Sequence, residues 1–381
     1  MKSYSAQTKL ADFEAKLAEC AAIEPNIVLY FAPSASFKDE KLLSTIKQKL
    51  GGSTVIACST SGEIGSKGVM DNTISLLGLH FDKATVASAS SAVTSPAQSF
   101  DAGRDIAQQL NKQPGLKAIF TLAPGLNING SQFVQGLRSE VGDNVVITGG
   151  LAGDGTDFKQ TYTLLNGEVH GDRAVAFGVY GDDVRVSTGS KGGWMPFGPA
   201  RRVTRVENNV LYELDGSPAL ELYKQYLGDK AEQLPSSGLL YPLAILHDDK
   251  STSGLIRTIL DVDHEKGSLI LAGDLREGSL VCLMHADTEL LVSGAKNAAL
   301  ESLGSDATDE GAAILVSCVG RKLVMADDVD EEVDAVRDAL GEQVAIAGFY
   351  SYGEICPFAE TSVLELHNQT MTITRIYEKA A

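Results

Sequence analysis

Three turns in this sequence combine a glycine with a carboxylic acid directly after an apolar stretch. They occur in ACSTSGEI, GGLAGDG and GFYSYGEI, and the pairs are Gly62-Glu63, Gly153-Asp154 and Gly353-Glu354. Glycine permits positive φ angles and close backbone approach, and ligands of open α/β sheets bind outside the carboxyl ends of the strands. The pattern predicts a shared cleft whose carboxylates suit an ammonium group, a hydroxyl or water, and repel phosphate. The alternative is that each pair only forms a tight turn.

A second glycine-rich stretch, GSKGGWMPFGP, contains the single tryptophan, Trp194, together with Met195 and Phe197. Glycine and proline interrupt it too often for a helix or a strand, so we predict a loop. A loop with large apolar side chains typically lies over a core or a ligand. We therefore expect Trp194 and Phe197 to cover part of the cleft. The alternative is that they fill a junction between domains.

The composition argues against several classes of partner. The 381 residues carry a formal net charge of −18, and such a chain repels nucleic acid and anionic membranes. The first residues lack the apolar segment of a secretory signal, and no stretch approaches the length of a membrane span. Five cysteines form no C-x-x-C pair, which is typical of free thiols in a reducing compartment. We expect a cytoplasmic protein that binds neither nucleic acid nor a membrane.

Motifs of common enzymes are missing from the sequence. It contains no G-x-S-x-G, no G-x-x-x-x-G-K-[ST] and no H-E-x-x-H. Cys58 and Cys356 lie beside the repeated turns and could act as nucleophiles with a histidine, but small buried cysteines are more common. We therefore predict that the protein is not an enzyme.

The elements around the turns occur in the same order in both halves of the chain. The order is strand, helix, strand, helix, strand, strand, and helices such as DEKLLSTIKQKLGG begin with acids and carry one apolar stripe. Short hairpins among the strands exclude a purely parallel sheet. The sequence predicts an α+β (mixed α/β) fold of two related units with mixed sheets and packed helices. An amphipathic N-terminal helix is predicted within residues 1–25.

Several segments together resemble the FIST family: ACSTSGEI, GGLAGDG, GSPALELY, GFYSYGEI and LHNQTMT. The resemblance implies a FIST N-terminal-like domain over 26–226 and a FIST C-terminal-like domain over 227–381. It also implies a sensory role, in which the protein binds a small ligand and signals to a partner such as a histidine kinase. Amino acids are the ligands that the family implies in general. One branch of stand-alone FIST proteins, which this chain resembles, binds haem and senses nitric oxide.

The first hypothesis is therefore a haem-binding sensor of nitric oxide. Haem requires an apolar cavity and an axial ligand, normally a neutral histidine in a gas sensor. Among the six histidines, His247 is the best candidate for the iron ligand because it shares a strand face with Leu243 and Ile245 in YPLAILHDD. The alternative is a core or edge histidine that is paired with a carboxylate.

The second hypothesis is an amino-acid-binding module without haem. Glu63, Asp154 or Glu354 would take the ammonium group of the ligand. Backbone N–H groups, or an arginine such as Arg201, would take its carboxylate. A visible spectrum separates the two hypotheses because a haem protein is coloured.

Overall fold

The computed structural model describes residues 1–304, 311–358 and 363–379. Three repeats with the same order of elements build most of this part of the chain. Repeat 1 spans 2–80, repeat 2 spans 85–180, and repeat 3 combines 184–191 with 288–378; the insert, 195–285, interrupts repeat 3. The predicted α+β class with mixed sheets is confirmed. The unit that the sequence shows in each half occurs a third time, in the middle of the chain.

The bounds of the elements follow the chain order. Repeat 1 contains β1 Lys2–Thr8, α1 Phe13–Ala21, β2 Ile27–Ala32, α2 Glu40–Lys49, β3 Thr54–Ser59, β4 Glu63–Gly65, β5 Gly68–Met70 and β6 Ile74–His80. Repeat 2 contains β7 Thr85–Ala92, α3 Ser99–Leu110, β8 Leu116–Ala123, α4 Gly130–Ser139, β9 Val146–Leu151, β10 Thr163–Leu165, β11 Glu168–His170 and β12 Arg173–Tyr180.

Repeat 3 and the insert continue this numbering. Repeat 3 begins with β13 Val184–Lys191, and the insert contains β14 Met195–Glu207, β15 Val210–Leu214, β16 Ser217–Pro218, α5 Ala219–Leu227, β17 Leu243–Leu246, β18 Thr252–Arg257, β19 Ile259–Asp263, β20 Ser268–Leu271 and β21 Leu280–His285. The rest of repeat 3 contains α6 Thr288–Leu303, β22 Ala312–Cys318, α7 Val319–Met325, α8 Asp330–Leu340, β23 Ala345–Ser351, β24 Gly353–Pro357, β25 Leu364–His367 and β26 Met371–Glu378.

Each repeat completes its sheet with a hairpin from another repeat. The three sheets have the strand orders β1-β6-β2-β3-β10-β11, β7-β12-β8-β9-β24-β25 and β13-β26-β22-β23-β4-β5. The hairpin of repeat 2 thus joins the sheet of repeat 1, that of repeat 3 joins repeat 2, and that of repeat 1 joins repeat 3. The pairs β2/β3, β8/β9 and β22/β23 are parallel, and the other pairs in these sheets are antiparallel. This cyclic exchange holds the three glycine–acid turns at one end of the sheets.

The inner faces of the three sheets share one apolar core. Phe31 of repeat 1 stacks on Phe349 of repeat 3 at a centroid distance of 4.7 Å, and Phe120 and Phe177 of repeat 2 complete the same cluster. Two helices cover the outer face of each sheet, α1 and α2 in repeat 1, α3 and α4 in repeat 2, and α6 and α8 in repeat 3. The central strands are buried on both faces, which explains why they read as continuous apolar runs.

Two segments differ from their predicted structure. Residues Lys2–Thr8 form an edge strand before the predicted N-terminal helix, which buries Phe13, Leu17 and Cys20 as expected. The stretch after Trp194 was predicted to be a loop, but Met195–Glu207 is a long strand that pairs with β21. Proline is tolerated there because the pairing is irregular between Phe197 and Arg201. No helix in the described ranges is long and apolar enough to cross a membrane.

Candidate functional site

The three glycine–acid turns lie against one another. Ser61 N–H donates to the Tyr350 carbonyl at 2.8 Å, and Tyr350 N–H donates to the Gly62 carbonyl at 2.9 Å. Gly153 N–H donates to the Ser59 carbonyl at 2.8 Å. Turns from all three repeats are therefore joined by backbone hydrogen bonds at the carboxyl ends of their strands.

Two of the glycines are required by this close packing. Gly62 has a φ of +140°, a region that side chains disfavour, and an added Cβ would lie 2.6 Å from Lys322 Nζ. A Cβ on Gly153 would lie 2.4 Å from Ser61 Oγ and 2.9 Å from the Ser61 nitrogen. The glycines allow the approach of neighbouring repeats, which is the role that the sequence pattern predicted for them.

A cavity of about 800 Å³ opens beside these turns, and we call it the central pocket. Its walls come from all three repeats, and most of its side chains are polar or charged. Its main lining residues are Ser34, Lys38, Thr60, Ser61, Gly62, Glu63, Asp71, Asn72, Asp154, Asp157, Lys159, Gln160, Tyr162, Lys322 and Leu323. Of the predicted residues in the three turns, Gly62, Glu63 and Asp154 border the central pocket, whereas Gly153, Gly353 and Glu354 do not.

The Glu63 carboxylate is hydrogen-bonded to its own repeat. Thr60 Oγ1 donates to Oε1 in a short hydrogen bond, and Thr73 donates to Oε2 from its backbone N–H at 2.9 Å and from its hydroxyl at 3.2 Å. The side chain is 1% exposed, and burial raises the pKa of Glu63 to about 7. Its oxygens therefore support the turn and offer a ligand less negative charge than the sequence suggested.

Glu354 repeats this arrangement away from the central pocket. Ser351 Oγ donates to Oε1 at 2.7 Å, and Thr370 donates to Oε2 from its N–H at 3.2 Å and its hydroxyl at 3.0 Å. Glu354 is fully buried, and this burial raises its pKa to about 8. The prediction that the third turn borders the shared cleft is therefore wrong for Gly353 and Glu354. Leu151 and Leu366 pack against Gly353, and Ser351 and Thr370 enclose the Glu354 carboxylate.

Asp154 differs from both glutamates. One of its carboxylate oxygens accepts backbone N–H groups of Lys159 and Gln160, each at 2.8 Å, and the other accepts a short hydrogen bond from the Tyr352 hydroxyl. The aspartate thereby fixes the loop that follows it and joins repeat 2 to repeat 3.

Lysines are the site residues that the sequence analysis missed. Lys322 Nζ donates to the Ser61 carbonyl at 3.0 Å and forms an ion pair with Asp71. Lys38 Nζ lies 5.6 Å from the centroid of the Tyr162 ring, and no carboxylate among the described residues forms an ion pair with it. Both lysines follow the carboxyl end of a buried strand, and this position was the available signal.

Trp194, Phe197 and Arg201 do not cover the central pocket. The Trp194 indole is buried in the core and donates to the Gln369 carbonyl at 2.9 Å. Phe197 is exposed beside His285 at another cavity. Arg201 donates to the Tyr226 hydroxyl at 2.9 Å within the insert. The expectation that the two aromatic residues cover the cleft is wrong because their segment continues into strand β14 of the insert.

His247 lies in an exposed turn after strand β17 rather than on the apolar face of the strand. It borders a cavity of about 480 Å³ whose other walls include Lys191, Thr252, Ser253 and Phe358. Polar side chains outnumber apolar ones on these walls, whereas the macrocycle of haem requires apolar surfaces on both faces. The described residues around His247 do not fit a haem, and the haem hypothesis stays a prediction.

Two family models match consecutive parts of the chain. The FIST N domain matches residues 26–217, and the FIST C domain matches residues 219–357. The chain belongs to the FIST family. FIST domains are sensory domains that bind small molecules in signalling proteins. The central pocket of this FIST protein lies where turns from both domains meet.

Individual relatives are more distant. An uncharacterised protein of Methanocaldococcus jannaschii is 30% identical over 160 residues, which are 38% of this chain and 30% of that protein. The aligned region thus spans less than a third of the relative.

Among solved structures, cyanuric acid hydrolase from A. caulinodans aligns over 100% of this chain and 99% of its own, with 9% identity and a TM-score of 0.38. A chorismatase aligns over 98% of both chains, with 9% identity and a TM-score of 0.34. These proteins are enzymes, which contradicts the prediction that the chain is not an enzyme, and we withdraw that exclusion. TM-scores this low assign no activity to the FIST protein.

Proposed function

We propose that this FIST protein is a sensor whose central pocket binds a free amino acid or a similar small zwitterion. The observation that carries the proposal is the presence of lysines and aspartates in one cavity formed by all three repeats. A zwitterion matches both charges, whereas an apolar ligand would leave these groups desolvated without partners.

The carboxylate of the ligand would bind Lys38 and Lys322. Lys38 is exposed and has no ion pair within the described residues, so a ligand can engage it without breaking a bond. Lys322 is 19% exposed and held by Ser61 and Asp71, which fixes the direction of its ammonium group. The ammonium group of the ligand would bind Asp71, whose carboxylate is 63% exposed. This assignment moves the acidic role from Glu63, Asp154 and Glu354, whose carboxylates are already hydrogen-bonded within the protein, to Asp71.

Isothermal titration with the common amino acids tests the proposal. At least one amino acid is expected to bind, and Lys38→Ala and Lys322→Ala are each expected to weaken it about tenfold because each removes a charge-assisted hydrogen bond. Lys112→Ala is the matched control, since Lys112 is an exposed lysine outside the central pocket. Affinity that is lost equally in the control, or no binding by any amino acid, contradicts the proposal.

The same sensor would signal to a histidine kinase. The family's occurrence in signalling proteins supports this step. Autophosphorylation of the histidine kinases of the source organism should change when the protein and its amino acid are added together. Unchanged phosphorylation of every kinase contradicts this part alone.

Haem with His247 as its iron ligand and nitric oxide as the signal stays a separate prediction, which the residues around His247 do not favour. Reconstitution with haem followed by a visible spectrum separates it from amino-acid binding. A Soret band that shifts in His247→Ala would favour haem. A colourless protein would exclude it.

A further inference from the structure

We propose that a second cavity binds an uncharged aromatic molecule that carries N–H or O–H groups. This cavity, which we call the uncharged cavity, lies between repeat 2 and the insert and measures about 450 Å³, within the range of small-molecule sites. Repeat 2 contributes Phe100 and Leu126, and the insert contributes Leu260. The uncharged cavity shares no lining residue with the central pocket, so the inference goes beyond the proposed function.

The charge of the walls selects a neutral ligand. None of the described residues that line the uncharged cavity is charged, whereas lysines and aspartates line the central pocket. An ion that entered the uncharged cavity would lose its hydration without gaining an opposite charge. The two cavities therefore accept different chemical classes.

Side-chain amides in the cavity wall determine which polar groups a ligand can carry. Gln132 Nε2 donates to Asp274 at 3.0 Å, and Asn209 Nδ2 donates to the Leu271 carbonyl at 2.8 Å. Each of these amide nitrogens keeps a second N–H group, and no hydrogen bond to either side-chain oxygen is found among the described residues, so Gln132 and Asn209 offer acceptors as well as donors to a ligand. An N–H or O–H group on the ligand satisfies such acceptors.

A pair of stacked aromatic side chains at the cavity favours a ligand with an aromatic ring. Phe158 stacks on Tyr352 with a centroid distance of 4.5 Å and an interplanar angle of 14°, and it is 36% exposed at the cavity. Its φ of +50° is unusual for a bulky residue, and the hydrogen bonds of Asp154 to Lys159 and Gln160 hold the loop in this conformation. A strained, partly exposed aromatic side chain is typical of a ligand site, and a planar ligand extends its stack.

Ligand-observed fluorine NMR tests the inference with para-fluorobenzamide and para-fluorobenzoate. The two probes share a ring, but only the benzamide is neutral and carries N–H groups. We expect the benzamide to bind and the benzoate not to bind. Phe158→Ala should weaken the benzamide about tenfold through loss of the stack, and Leu260→Glu should abolish binding through a charge at the rim.

Leu300→Ala is the control, because Leu300 is a leucine of helix α6 that is 48% exposed and lies outside the uncharged cavity. Thermal unfolding of each variant verifies the fold, and Leu260→Glu carries the test if Phe158→Ala does not fold. Equal binding of benzoate, no binding of benzamide at millimolar concentration, or binding that neither variant changes overturns the inference. Loss of benzamide binding in Lys322→Ala would also overturn it, by placing the probe in the central pocket.

Discussion

Repeats 1 and 3 carry the same hydrogen-bonded carboxylate in the strand after their second parallel strand, Glu63 in β4 and Glu354 in β24, but only Glu63 borders the central pocket. Glu63 and Glu354 each accept one hydrogen bond from a hydroxyl three residues earlier in the sequence. Each accepts two more from the threonine directly before the last strand of its repeat, which is β6 or β26. The two carboxylates make the same hydrogen bonds although their surroundings differ. The carboxylate therefore stabilises the turn in both repeats. A ligand site arises only where the neighbouring turns leave space.

The largest expected effect comes from removing the carboxylates. Glu354→Leu should lower the free energy of unfolding by about 4 kcal/mol, because three buried donors lose their acceptor. Glu63→Leu should lower it by about half as much, since water in the central pocket can reach the abandoned donors. Urea unfolding measures both values. Equal losses would show that the pocket does not distinguish the two turns.

The pH dependence sharpens the comparison. Burial raises the pKa of Glu63 to about 7 and that of Glu354 to about 8, from an ordinary value of 4.5. Between the ordinary and the raised pKa the folded state binds more protons, so stability is greatest at low pH and falls as the pH rises. The wild type should lose about 1 kcal/mol per pH unit through each group in this window.

Glutamine mimics the protonated acid but does not titrate. Glu63→Gln and Glu354→Gln should therefore each remove the contribution of one residue to the fall of stability with rising pH. The part that Glu63 contributes ends near pH 7, and the part that Glu354 contributes ends near pH 8. Thermal melts of the two variants across this range provide the measurement. A variant whose slope equals that of the wild type contradicts the assignment for its residue.

Removal of the short-range hydroxyls should have a smaller effect. Thr60→Ala and Ser351→Ala should each lower the free energy of unfolding by about 1 kcal/mol, because each removes one hydrogen bond to a buried carboxylate. Ser66→Ala, at an exposed serine of the same turn region, serves as the control and should leave stability unchanged. Losses that differ widely between Thr60 and Ser351 would contradict the equivalence of the two turns.

The smallest effect on stability is expected at the ion pair that borders only the repeat 1 turn. Asp71→Asn should change the free energy of unfolding by about 0.5 kcal/mol or less, because Asp71 is 63% exposed and such pairs contribute little. Its effect on amino-acid affinity should be larger than its effect on stability. Titration and urea unfolding on the same sample compare the two. A large loss of stability would make Asp71 a structural residue.

The sequence predicted the repeated elements and the positions of the turns because both depend on local pattern. Apolar runs such as IVLYFA identified the buried strands, and glycine followed by an acid identified the turns at Gly62, Gly153 and Gly353. The hairpin exchange was not predictable, because strands such as Glu63–Gly65 have three residues and show no periodicity. Their partners lie hundreds of residues away in the sequence.

The predicted site residues were only partly informative for a similar reason. An acid beside a glycine has the same pattern whether the residue borders a pocket, as Glu63 does, or is enclosed by its own repeat, as Glu354 is. Lys322 escaped notice because an isolated lysine after a strand is common, and only packing brings it to the Ser61 carbonyl. His247 continues the alternating pattern of the sequence, but strand β17 ends one residue earlier, at Leu246.

The hairpin exchange also fixes how many copies the architecture can contain. In a solenoid, each copy contacts only its neighbours, and copies can be added or lost at either end. Here the hairpin of the first repeat completes the sheet of the third, so the assembly is a closed ring with no free end. A duplication or deletion of one repeat would require an existing hairpin to leave its sheet and pair with another one. The insert and the turns can vary without breaking any of these pairings.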